Sequence, residues 1–136
     1  MGADGQSVSV NVTKRRGVVF AAVRGEIETD TCEQVREQLL ACLAESPAAL
    51  VVDLDGVTFL GSLGIAVLVE SREYAERSGA GFAVVAGSHT VVRPMRVTDV
   101  GALLGLCTTV EEALDVLGGD TAHGGSGRDG FSWWSS

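Results

Sequence analysis

The stretch VVDLDGVTFLGSLGIAVLVE, Val51 to Glu70, sets two apolar runs on either side of GSLG, Gly61 to Gly64. The first run extends from Ala49 to Leu54, apolar but for Asp53, which is strand length. A run without alternation suits a central strand covered on both faces. Asp55 and Gly56 then read as a turn. From about Leu63 to Ser78 the spacing becomes helical. Leu63 to Val69 are apolar nearly all round and must be buried on several sides, whereas Glu70, Arg72, Glu73, Glu76 and Arg77 make the later turns polar. Glu73 and Arg77 stand at the i,i+4 spacing of an ion pair. Gly79 takes the usual stop position.

Upstream, Gln6 to Val12 alternates, with Val8, Val10 and Val12 on one face. Lys14 to Gly17 reads as a turn and Val18 to Val23 as a second strand, together a hairpin. Gly25, Glu26, Ile27 and Glu28 then leave the sheet edge as an acidic loop. Asp30, with Glu33 three residues on, is expected to cap a first helix. Its stripe is Cys32, Val35, Leu39, Cys42 and Leu43, and Ser46 and Pro47 end it. Downstream, Phe82 to Ala86 is a short strand, Thr90 to Val97 a short helix holding Pro94, and Leu103 to Thr108 a last strand. Thr109 and Glu112 form a capping pair for a final helix with Val110, Ala113, Leu114 and Leu117 inside.

Strands alternating with helices make an α/β chain with at least one parallel pair joined by a crossover helix. The organisation is one domain over residues 6–117, a flexible N-terminus at 1–5, and a Gly- and Ser-rich flexible tail at 118–136. Trp133 and Trp134 end that tail, and a disordered end is the plainer reading of them than a docking pair.

The 136 residues are 46% hydrophobic and 21% charged, a globular balance. Aromatics are few, so the core is built from Val, Leu, Ala and Ile. A net charge of −8 argues against a nucleic-acid surface. The basic cluster Lys14, Arg15 and Arg16 reads as a solvated turn. Cys32, Cys42 and Cys107 have neither paired spacing nor a nearby histidine, so they read as buried thiols and not as a zinc site. Their odd number, with no secretory signal, points to a reducing cytoplasm. No apolar run is long enough for a bilayer. The expectation is a soluble cytoplasmic protein with no metal and no cofactor.

Ser62 admits four readings. As a nucleophile it lacks the first glycine of G-x-S-x-G, where Leu60 stands, and the histidines His89 and His123 offer little for a triad. A phosphate cradle would need G-x-x-x-x-G-K-[ST] or G-x-G-x-x-G, and no lysine follows Lys14. As a helix cap it is sound: the hydroxyl would accept from the amide of Gly64 or Ile65. Such a cap accounts for the serine by itself.

The fourth reading comes from resemblance. DLDGVTFLGSLGIAVL resembles the signature of STAS domains, and among them the bacterial anti-sigma factor antagonists, in which a strand ending in D-L leads to D-S-S-G or D-S-T-G and an apolar helix. Arg24-Gly25-Glu26-Ile27-Glu28 resembles the family's G-E-[LIV]-D loop. Thr109-Val110-Glu111-Glu112-Ala113-Leu114 resembles its closing S/T-x-E-E-A-L helix. The likeness runs over residues 6–117 in the family's order of elements, and implies a STAS-like α/β domain, a small mixed sheet packed with about four helices.

The resemblance also implies a role without catalysis. The unphosphorylated antagonist binds an anti-sigma factor, usually a serine kinase, and releases a sigma factor; phosphorylation breaks the complex and a serine phosphatase resets it. Ser62 falls on the phosphoacceptor. Gly61, Leu63 and Gly64 would form the contact rim, with Glu26, Glu28 and Asp30 as an acidic patch that meets a basic groove on the partner. Solvated loop carboxylates are the rival reading of those acids. Gly61 replaces the family's aspartate, Leu63 its second hydroxyl, and Glu28 the aspartate of G-E-x-D. Two alternatives stand beside the switch: a STAS scaffold binding partners without phosphoryl control, and a weak nucleotide or anion sensor using the amides after Ser62.

Overall fold

A computed structural model of the chain describes residues 8–123. The expected N-terminal segment 1–5, Gln6, and the tail from 124 with Trp133 and Trp134 lie outside the described residues. Strands β1 (Val8–Arg15) and β2 (Val18–Ile27) form the hairpin, followed by α1 (Cys32–Ala44), β3 (Ala49–Leu60) and α2 (Ser62–Ser78). Then come β4 (Gly81–Val85), α3 (His89–Val97), the single turn α4 (Gly101–Leu104), β5 (Leu106–Cys107) and α5 (Val110–His123). The sheet order is β1-β2-β3-β4-β5, with β1 antiparallel to β2 and the rest parallel. This is the expected mixed α/β sheet, with five helices where about four were expected, because α4 adds one turn.

The hairpin turn is tighter than Lys14–Gly17. Only Arg16 and Gly17 are left out of the ladder, with φ of 55° and 84°, the left-handed pair that a two-residue hairpin requires. Val12 is exposed, because β1 is an edge strand.

Alternation within β3 divides the core. Leu50, Val52 and Leu54 pack with Val35, Leu39 and Leu43 of α1 and Leu68 of α2. Val51 points the other way, joining Ala83, Val85, Cys107, and Ala113 and Leu117 of α5. The apolar run from Ala49 to Val52 therefore serves two cores, one on each face of the sheet.

Several boundaries differ from expectation. Asp55–Gly56 is no turn: β3 runs on to Leu60, and the supposed acidic loop from Gly25 to Ile27 is strand paired with it, Gly25 to Val57 and Ile27 to Leu60. Two register shifts, between Ala22 and Arg24 and between Gly25 and Glu26, let this ladder continue past its glycines. The cap position of the first helix is Thr31, not Asp30, and no side chain caps it, so the Asp30–Glu33 box does not form. Arg77 lies over Tyr74 instead of pairing Glu73, and the i,i+4 pair of α2 is Arg72–Glu76 at 3.1 Å. Leu103 and Leu104 belong to α4, which leaves β5 two residues. Thr109 does accept from the Glu112 amide at 3.0 Å, while the Glu112 carboxylate reaches back to Thr108. α5 continues to His123, past the expected start of the tail at 118. All three cysteines are free; Cys42 and Cys107 are buried, and Cys32 is only half-buried.

Candidate functional site

Beyond Asp53, β3 has lost β4 and keeps only β2 as a neighbour. The two strands project together to Ile27 and Leu60, and the chain then turns at Gly61 into α2. Gly61 is extended (φ −89°, ψ 178°) and acts as the cap residue through its backbone: its amide donates to the Ile27 carbonyl at 3.0 Å, and its carbonyl accepts from the Ile65 amide at 3.1 Å.

Ser62 is thus the first residue of the helix and not its cap. Its hydroxyl makes no capping bond to Gly64 or Ile65, the correction of the cap reading. The reason is positional, since a cap side chain must sit one residue earlier, where the chain is still extended. Ser62 is exposed, and among the described residues no hydrogen bond claims its hydroxyl. His89 lines the same groove as Ser62, and among the described residues no hydrogen bond joins the two.

Around the serine the residues divide into outward and inward ones. Leu63 and Phe59 are 48% and 47% exposed, large apolar side chains left facing solvent. Gly64 is buried: a Cβ there would stand 2.6 Å from Leu60 Cδ1 and 2.7 Å from Ile27 Cγ2. It lets the helix approach the ladder and shapes the surface from beneath. Phe59 was missed by sequence reasoning, because the β3 strand that presents it was read as ending at Leu54.

The acidic segment lies against this turn through the Gly61–Ile27 bond. Thr31 holds it in shape. Buried to 3% exposure, Thr31 donates its hydroxyl to the Glu26 carbonyl at 2.5 Å and accepts from the Glu28 amide at 3.0 Å. The Glu28 carbonyl in turn accepts from the Thr31 and Cys32 amides at 3.0 and 2.7 Å. Glu26 and Glu28 are half-buried and Asp30 is exposed. Partial burial first, then the neighbouring Glu26 carboxyl and the Asp30 charge, push the Glu28 carboxyl above its ordinary value.

On its other side Ser62 borders a groove of about 580 Å³ between the start of α2 and α3. Leu60, Ile65, Pro94 and Val97 make it apolar, and His89, Thr90, Arg93 and Thr98 supply its polar groups. Among the described residues there is no group of three or more His, Cys, Asp or Glu side chains placed to hold a metal, and no helix long and apolar enough to cross a membrane.

Comparison with known proteins places this architecture. The family described as the STAS domain matches residues 9–113. The anti-sigma-F factor antagonist RsfB of Mycobacterium tuberculosis is 33% identical over 108 residues, covering 79% of this chain and 88% of that protein. The crystal structure of an anti-sigma factor antagonist from Mycobacterium paratuberculosis superimposes with a TM-score of 0.78 at 34% identity, over 82% of this chain and 95% of the other. The Bacillus cell fate determinant SpoIIAA, in its phosphorylated form, gives a TM-score of 0.61 at 17% identity over 79% of this chain and 97% of its own, a likeness of fold alone.

Proposed function

This chain belongs to the STAS domain family, and we propose that it is an anti-sigma factor antagonist that binds an anti-sigma factor through the face around Ser62 and so frees a sigma factor. The observation that carries the reading is the exposed, unpartnered Ser62 hydroxyl beside two exposed apolar side chains, Phe59 and Leu63. Apolar anchors next to a modifiable hydroxyl suit a surface that docks in one state and is repelled in the other. Glu26, Glu28 and Asp30 extend this face and favour a partner with a basic groove, while Gly61 and Gly64 set its contour. The site of action is the cytoplasm, where a sigma factor works.

In this reading the partner is a serine kinase that inactivates the antagonist. The bond from the γ-phosphorus of ATP to its bridging oxygen breaks, the Ser62 Oγ–phosphorus bond forms, the hydroxyl proton is lost, and ADP departs. The phosphate brings about −1.5 to −2 charges. At a helix N-terminus that charge favours the host by up to about 1 kcal/mol. The modification therefore leaves the domain folded and acts across the interface, where the charge would have to be desolvated beside Phe59 and Leu63. A serine phosphatase restores the binding state.

Incubation with an anti-sigma kinase and ATP, followed by mass measurement and pull-down of Ser62→Ala and Ser62→Asp, tests the reading. Addition of one phosphate, with Ala retained and Asp lost, is expected; equal retention of both removes the switch. Leu63, apolar and exposed where the family pattern has a hydroxyl, favours a second reading, a STAS scaffold without phosphoryl control. An unchanged mass with intact binding selects it.

A further inference from the structure

The groove beside Ser62 carries charge of the opposite sign to the acidic segment. Arg93 of α3 lines it, together with His89 one and a bit turns earlier on the same helix. Arg93 is exposed and, among the described residues, takes part in no ion pair, whereas Arg36 and Arg72 are engaged by Glu70 and Glu76. Ser62, whose hydroxyl takes part in no hydrogen bond among the described residues, lines the same groove. An acceptor and a free guanidinium thus face one cavity from two different helices.

We propose that Arg93, with His89 beside it, is the built-in receptor for a phosphate on Ser62. The modified side chain turns into the groove and is held against α3 instead of projecting into solvent. This rests on the reading of Ser62 as phosphoacceptor and goes beyond it by stating where the phosphate goes. The planar guanidinium offers two parallel donors to two phosphate oxygens, a match that an ammonium cannot reproduce. The titratable groups around the phosphate are Arg93 and His89 from α3, opposed by Glu26, Glu28 and Asp30 from the segment beyond Gly61.

The test uses full-length protein with phosphoserine inserted at position 62 during translation, so that no kinase is involved, and follows the phosphorus resonance against pH. The wild-type phosphate is expected to lose its second proton well below the ordinary value of about 6. Arg93→Ala should raise its proton affinity about tenfold, one charged hydrogen-bonded partner being worth roughly that much, and Arg93→Lys should restore part of the difference. Coincident titrations of wild type and Arg93→Ala overturn the proposal. Because the phosphate is installed without a kinase, this result is read independently of whether a kinase modifies Ser62.

Discussion

The Gly61 amide donates to the Ile27 carbonyl at 3.0 Å, and this one bond fastens the start of the serine-bearing helix to the end of the acidic strand. Two segments 34 positions apart in number thereby meet at the turn before Ser62, where Glu26 and Phe59 are partners in the ladder. The bond forms only because β2 and β3 stay paired beyond the point where β4 ends.

Ser62→Ala should leave stability nearly unchanged, within about 0.5 kcal/mol. A true cap would cost about 1 kcal/mol, and this hydroxyl makes no capping bond. Ser62→Asp should stabilise by roughly 0.3–1 kcal/mol through the helix dipole. Urea unfolding of the three proteins measures both effects, and a clear loss for Ala would show that the hydroxyl caps in solution.

Gly64→Ala should destabilise by roughly 1–3 kcal/mol, the usual range for overpacking. The added methyl meets Leu60 Cδ1 at 2.6 Å and the buried Ile27 Cγ2 at 2.7 Å. Gly79→Ala meets nothing within 4 Å but forces a left-handed φ of 81°, so its cost is backbone strain alone. Thermal unfolding of both variants separates steric crowding from strain.

Thr31→Val keeps the shape of a buried side chain and removes the hydroxyl that joins Glu26 to Glu28. The stranded amide and carbonyl should cost about 1–3 kcal/mol. Thr31→Ser should recover most of it. Amide exchange at Glu28 should quicken in the valine variant and not in the serine one.

Two carboxylates should give opposite pH responses. Arg36 grips Glu70 through Nε–Oε1 at 2.9 Å and Nη2–Oε2 at 3.0 Å, and these hydrogen bonds hold the Glu70 carboxyl below its ordinary range. The fork stabilises above that range and the contribution is lost as pH falls through the folded-state value; with both groups well exposed, solvent screens it and keeps it small. Glu28 is raised instead, so its charged form disfavours the fold at neutral pH and the penalty disappears on acidification. Glu28→Gln should raise the melting temperature at pH 7 and lose that advantage at pH 3, while Glu70→Gln should be less stable than wild type at pH 7 and equal to it at pH 3.

The central strand, the long helix after it, the hairpin and the Thr109–Glu112 cap were legible because apolar spacing and capping chemistry are local. The extension of β2 and β3 was not. Gly25, Glu26, Asp55 and Gly56 have poor strand propensity, and only the partner strand makes them extended. Thr31 was hidden by Asp30, a stronger cap by type, since nothing in the sequence says which side chain turns inward. At Ser62 the residue was legible but its exact register was not: the helix begins one position earlier than expected, and Gly61 caps it with backbone alone. The groove with Arg93 joins the start of α2 to α3 across the intervening β4, a tertiary contact that left no local signal.

Calorimetric titration of an anti-sigma kinase partner with unmodified and Ser62-phosphorylated protein tests the central claim most directly. The account predicts tight binding of the unmodified form and at least a hundredfold weaker binding after phosphorylation, about 2.7 kcal/mol, with both forms equally folded. Equal affinities of the two folded forms would contradict it.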